Sequence, residues 1–209
     1  MRDLIERRLA TRRPRVDPRQ RILANVVGEA SPALVEAIEA SSRRAAVLLA
    51  LIERESGMTM LFTERARHLR HHPGQISFPG GRLEDPGEPP VAAALREAHE
   101  EIGLEPRDVA IAGVLDPHVT GTGFSVTPVV GFVAADFVAR PDPGEVSAVF
   151  EVPLALILEE RTLRESVRER LGSRIRTYEF EYEGHRVWGA TAAMIVTFRE
   201  LLLDEKSVR

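Results

Sequence analysis

The sequence predicts an α+β fold in which a mixed β-sheet packs between helices. Two observations carry this. Short apolar runs bounded by charged, glycine-containing turns begin at Ala45, and helix start and stop signals recur ahead of, within and after those runs. Leu4, Ile5 and Leu9 recur at helical spacing, Pro14 and Pro18 interrupt, and Ser31-Pro32 opens a second helix through Glu39. Residues 1–43 therefore read as a helical arm, and residues 44–209 as the main domain. In that domain, Ala45 to Ile52 and Met58 to Thr63, joined by Glu53 to Gly57, form a hairpin. A helix follows from about Pro90 to Ile102, with proline in its first turn and Gly103 just past its end. Strands are expected at Val109 to Leu115, Ser125 to Val133 and Ser147 to Val152, the last leading into Pro153 and a short helix. A second hairpin pairs Thr177 to Tyr182 with His185 to Trp188, and Ala190 to Leu203 closes the chain as a helix.

Composition narrows the chemistry. With 209 residues, 44% hydrophobic, the chain can bury a full core. A formal net charge of −4 without a basic block argues against general binding to nucleic-acid phosphates. The absence of cysteine excludes disulfides, thiolate metal ligands and cysteine nucleophiles. Charges run through the first thirteen residues, and no apolar stretch reaches the length of a signal core or a membrane span, so a cytoplasmic protein without membrane partners is expected.

The segment Arg96-Glu97-Ala98-His99-Glu100-Glu101 is the most informative. At 100° per residue, Val91, Leu95, Ala98 and Ile102 share one sector, while Glu97, Glu100 and Glu101 cluster on the other side. By itself this fits a solvated surface helix carrying an i,i+4 pair between Arg96 and Glu100. A site for a hard divalent cation, which would relieve repulsion among three carboxylates, is the alternative. Gly80-Gly81 lie upstream, where absent side chains permit close approach and carbonyls are available as extra ligands.

Glycine, an acid-rich loop and an acidic helix in this order resemble the Nudix box, G-x5-E-x7-R-E-U-x-E-E-x-G-U, where U is a bulky aliphatic residue. Arg96, Glu97, Glu100, Glu101, Gly103 and Leu104 match its second half. Six residues rather than five separate Gly81 from Glu88, and Ala98 stands where the pattern has a larger side chain. The resemblance implies the Nudix fold, an α/β/α sandwich, and hydrolysis of a diphosphate bond by water activated on Mg²⁺ or Mn²⁺. It implies Glu97 and Glu101 as metal ligands, Glu100 as a third ligand or a base acting through metal-bound water, Arg96 as the residue that orients the carboxylates, and Gly81 as a carbonyl ligand. Glu88 takes the first acidic position of the box, and Glu145 and Glu151 are candidates for an additional acid, with strand-edge charge as the alternative for both.

Leu61-Phe62-Thr63-Glu64-Arg65-Ala66, Arg70, Gly74 and Phe78-Pro79-Gly80-Gly81 resemble a further signature, L-L-T-x-R-[SA]-x3-R-x3-G-x3-F-P-G-G, departing only at Phe62. That signature marks coenzyme A diphosphatases. The implied reaction splits coenzyme A or a derivative into 3′,5′-ADP and 4′-phosphopantetheine. Arg65, Arg70 and Gly80 are then the candidate substrate-binding residues, guanidinium forks being suited to phosphate; solvated loop arginines are the alternative. Other nucleoside diphosphate derivatives, among them ADP-ribose, dinucleoside polyphosphates and oxidised nucleoside triphosphates, remain open as substrates, as does a non-catalytic binding module of the same fold. A metal cluster of His68, His71 and His72 is disfavoured, because histidine suits softer metals than carboxylates do. Trp188 is a candidate adenine platform or a packing residue. A homodimer built on the arm and the last helix is a further possibility.

Overall fold

The computed structural model describes residues 1–11, 22–40, 43–120, 123–159 and 161–203; the interruption read at Pro14 and Pro18 lies outside them. In chain order the elements are α1 (Arg2–Ala10), α2 (Pro32–Glu39), β1 (Arg43–Arg54), β2 (Gly57–Arg65), β3 (Ile76–Ser77), β4 (Gly80–Arg82), α3 (Pro90–Ile102), β5 (Val109–Val114), β6 (His118–Val119), β7 (Phe124–Val133), β8 (Val146–Pro153), α4 (Leu154–Leu158), β9 (Arg164–Arg170), β10 (Ser173–Tyr182), β11 (His185–Trp188) and α5 (Gly189–Leu203).

β1 is the axis of the main sheet. It pairs in parallel with β7 from Arg43↔Phe124 to Ile52↔Val133, while its other edge is divided between β2 at Leu51 to Arg54 and β4 at Ala45 to Val47. A strand covered on both faces needs apolar residues at successive positions, and Ala45 to Ile52 supplies them. Ala46, Leu48, Ala50 and Ile52 pack with Ala93, Ala94, Ala98 and Ile102 of α3. The alternate residues Ala45, Leu49 and Leu51 join Ile195, Phe198 and Leu202 of α5 on the opposite face. The sheet is thus mixed and lies between helices, as the sequence predicts.

α3 begins at Pro90 and ends where Gly103 adopts φ +67°, donating its N–H to the His99 carbonyl. Ser31 caps α2, its Oγ accepting from the Leu34 N–H at 3.2 Å. Within the arm, Ile5 and Leu9 of α1 are buried in the same core as α5. The strands that sequence reading passes over are short or exposed. β3, β4 and β6 span two or three residues, and all seven residues of β9 are exposed, leaving no buried face to create an alternation. β9 and β10 extend the expected second hairpin into a separate three-stranded sheet, β11-β10-β9. None of the described helices is long and apolar enough to cross a membrane.

Candidate active site

The split edge of β1 creates the site. β2 leaves β1 to pair with β3, and β4 takes the vacated edge, so the Gly80-Gly81 backbone passes directly beneath the last two turns of α3. Glu101 is not on a solvated face, as the helical wheel implies; it is 2% exposed and turned inward, because Gly80 offers its N–H to Oε2 at 3.1 Å and Arg65 of β2 brings Nη1 to 3.8 Å from Oε1. Burial pushes the Glu101 carboxyl up to about 8, against the opposing pull of the Gly80 N–H and Arg65, with the negative charges of Glu97 and Glu145 adding to the rise. Glu97 is raised too, mainly by burial, against its contacts with Arg96. Its carboxylate occupies the space over Gly81, where an added Cβ would fall 2.3 Å from its Cδ and Oε1.

Arg96 is the hub of the acidic loop. Its Nε donates to Glu88 Oε1 at 3.1 Å, Nη1 to Glu97 Oε1 at 2.9 Å and to Glu100 Oε2 at 3.2 Å, and Nη2 to the Arg82 carbonyl at 3.0 Å. One guanidinium thus bonds three of the box glutamates at once. The extra residue between Gly81 and Glu88 is absorbed by the loop, where the Glu84 N–H donates to Glu88 Oε2 at 2.7 Å. Glu88 is held below the usual carboxylate range by Arg96 and by that N–H, and it braces the guanidinium. Glu100 is half-exposed on the outer side of Arg96.

The two further acids separate. The Arg140 and Asp142 N–H groups donate to the Ile102 and Glu101 carbonyls at the end of α3, and the Ala66 N–H donates to the Glu145 carbonyl. These bonds carry Glu145 to the same end of the sheet, where its charge acts on both Glu97 and Glu101. Glu151, by contrast, does not belong to the site. It lies six residues further along, opposite Leu61, about 20 Å of extended strand away. There Arg54 donates to both its oxygens, Nη2 at 2.6 Å and Nε at 3.1 Å, and Thr59 Oγ1 donates a third bond. Burial raises the Glu151 carboxyl, but these bonds prevail and hold it below the ordinary range. Glu151→Ala is therefore expected to lower stability by about 1–3 kcal/mol at neutral pH, the partial exposure of the pair reducing the full value of a buried one. Because the folded-state pKa is depressed, this contribution is present above the ordinary carboxylate range and disappears as pH falls through the folded value. Denaturant melts across pH, with turnover unchanged, check it.

Ladder geometry corrects one expectation. The Leu48 N–H donates to the Pro79 carbonyl and the Leu83 N–H to that of Arg44, so residues 79, 81 and 83 face β1. Gly81 therefore directs its carbonyl at Ala46, and Gly80 is the residue whose peptide groups face the carboxylates. Gly80 has φ +152°, and a Cβ there would fall 2.4 Å from the Ala46 carbonyl oxygen, so no other residue fits. The buried position of Glu101 and its Gly80 partner went unread in the sequence, although the doubled glycine was the available signal.

Arg70 is exposed in the loop after β2. His68 meets the Gly144 carbonyl of the loop before β8 at 3.1 Å, and His72 meets Gln75 Oε1 within its own turn at 2.8 Å. Trp188 is partly exposed, with the Arg186 guanidinium 5.7 Å from its ring centre, and is not a core residue. With Glu97 and Glu100 bonded to Arg96, no three acidic or imidazole side chains among the described residues converge on one point. The donors nonetheless suit a hard divalent cation. Two carboxylates held in desolvated surroundings repel one another, and oxygen is the only ligand type on offer.

A mixed sheet between helices, with glutamates of one helix seated over a Gly-Gly strand, defines a Nudix domain. The Nudix domain model matches residues 42–171, and the chain belongs to the Nudix hydrolase family. It is 45% identical over 162 residues to the uncharacterized Nudix hydrolase NudL of Enterobacter sp. (strain 638), covering 78% of this chain and 82% of the relative. NudL of Escherichia coli (strain K12) is 44% identical over the same shares. Among solved structures, the Nudix hydrolase RenU of M. smegmatis is 26% identical, covers 52% of this chain and 69% of its own, and superposes with a TM-score of 0.43.

Proposed function

We propose that this hydrolase cleaves the diphosphate of coenzyme A or its S-acyl derivatives, releasing 3′,5′-ADP and 4′-phosphopantetheine or its acyl form. The observation that carries the reading is the meeting of the coenzyme A signature with the box. Arg65 stands 3.8 Å from Glu101, and Gly80, from the end of the same signature, donates to that carboxylate.

Glu97 and Glu101 would hold Mg²⁺ or Mn²⁺, with Glu100 and the Gly80 carbonyl as further oxygen donors. Bound there, such an ion would supply charge neutralisation for the diphosphate and a more acidic water. Arg96 fixes Glu97 and Glu100 in direction. Arg65 has guanidinium N–H groups available to a phosphate oxygen beside Glu101. Glu145 is exposed and faces both helix glutamates, a position suited to accepting the proton of the attacking water. Water oxygen bonds to phosphorus as the bridging P–O bond breaks, leaving one phosphate of the former diphosphate on each product, beside the 3′-phosphate that the ADP half already carries. A panel of coenzyme A, ADP-ribose, diadenosine tetraphosphate and an oxidised nucleoside triphosphate, with product masses, tests the reading. Coenzyme A is expected to give the highest kcat/KM, and release of AMP from ADP-ribose with coenzyme A left intact would overturn it.

A further inference from the structure

A cavity of about 660 Å³ lies away from the acidic helix, on the α5 side of the sheet. Its walls are largely apolar: Leu34 and Ile38 from α2, Val119 from β6, Ile175 and Tyr178 from β10, and Ala193 from α5. The box and the coenzyme A signature contribute nothing to it. The volume is that of a site for a drug-sized ligand.

Its place relative to the active site follows from strand pairing. β4 pairs β1 through Ala45↔Arg82, β1 pairs β7 through Ala45↔Val126, and β7 pairs β6 through His118↔Val126. Three strand spacings, about 14 Å along the sheet, therefore separate the cavity wall at β6 from the Gly80-Gly81 strand; the glutamates lie on the α3 face and the cavity on the α5 face, so a ligand that reaches both passes around this end of the sheet. Between them, Phe124 is covered by the guanidiniums of Arg43 and Arg82, at 4.3 and 5.0 Å from its ring centre.

We infer that this cavity takes the thioester end of an S-acyl pantetheine arm while the diphosphate lies at Glu97 and Glu101; the inference rests on the coenzyme A reading above. The nucleotide half of the substrate fits the cavity poorly. Arg168 and Arg176, two guanidiniums on its rim, are engaged by Glu179 at 3.6 Å and Glu165 at 3.0 Å, Arg170 has a partner of its own, and the rest of the wall is mainly carbon, with Asn25, His118, Thr120 and Thr177 among its polar groups. An acyl chain asks only for desolvated carbon surface, and the short side chains of Ala190 and Ala193 keep that space open.

The test is a chain-length series, acetyl-, butyryl-, hexanoyl- and octanoyl-coenzyme A, with Mg²⁺. Specificity is expected to rise with each methylene, by at most about four-fold, which corresponds to ~0.8 kcal/mol per buried CH₂. Ala193→Phe and Ala190→Phe, each occupying the cavity, are expected to flatten the rise. In parallel, calorimetry with S-acyl pantetheines, which carry no diphosphate, is run in chelator on the wild type and both variants. Affinity there is expected to follow the same chain-length trend and to be lost when the cavity is filled. If the thioesters are cleaved without any chain-length dependence, or if neither phenylalanine variant alters it, the inference is overturned while the coenzyme A reading stands. If neither coenzyme A nor any of its thioesters is cleaved, that reading fails, and the inference fails with it unless the calorimetric trend and its loss on filling both persist.

Discussion

Glu101→Gln is expected to reduce turnover by about 10³-fold, the scale on which enzymes lose rate when a preorganised charge-stabilising group is removed, and to leave the fold intact. Glutamine keeps the shape and can still accept the Gly80 N–H, but it contributes no charge to a divalent cation. Stability in chelator is expected to move the other way. Glu101 is 2% exposed with its pKa raised to about 8 from 4.5, so ionising it in the folded protein is penalised. Below the unfolded value the carboxyl is neutral in both states and there is no penalty. As pH rises from 4.5 through about 8, the wild type loses stability that the glutamine variant retains. Metal-free thermal melts at about pH 4 and about pH 8.5 are expected to show the variant equal at the first and higher at the second. Near-normal turnover in Glu101→Gln would remove this carboxylate from the catalytic centre.

Gly81→Ala and Gly80→Ala are expected to fail for different reasons, although they are neighbours. At Gly81 the new methyl would meet the Glu97 carboxylate at 2.3–2.4 Å, the mobile end of a side chain. Glu97 can swing aside at little expense to the fold, but it then leaves its place beside Glu101. Turnover is expected to fall by about 10²-fold, the scale of an ångström-level misplacement, with stability within about 1 kcal/mol of the wild type. At Gly80 the methyl would meet the Ala46 carbonyl oxygen at 2.4 Å and Val47 Cα at 2.6 Å, both backbone, and at a φ of +152°. That clash is relieved only by displacing β4, so a loss of about 2–3 kcal/mol is expected along with activity. Urea melts and turnover on the two variants separate the cases: equal destabilisation would contradict the assignment of Glu97 to the space above Gly81.

Most of the fold is written in local pattern. The apolar run of β1 and β2, the proline and glycine that bound α3, and the serine cap of α2 act through neighbours in sequence, and their elements formed where the pattern placed them. β9 escaped detection because a strand exposed at every position has no periodic burial to display. β4 escaped because three residues are too few to show a period, and its pairing depends on β2 vacating the edge of β1.

The site divides along the same line. The sequence by itself determined which acids and glycines are present, that Arg96 lies within reach of Glu100, and that the chain carries the box and the Leu61 to Gly81 signature. Only the tertiary structure decided what each does. A helical wheel places Glu97, Glu100 and Glu101 together, yet the strand passing under α3 buries one, half-buries the next and leaves the third to solvent. Glu145 and Glu151 both sit on or beside one strand, and pairing sends the first to the carboxylates and the second to Arg54 at the opposite end. Charge and spacing are local properties of a chain; desolvation, ladder direction and strand end are properties of what packs against it.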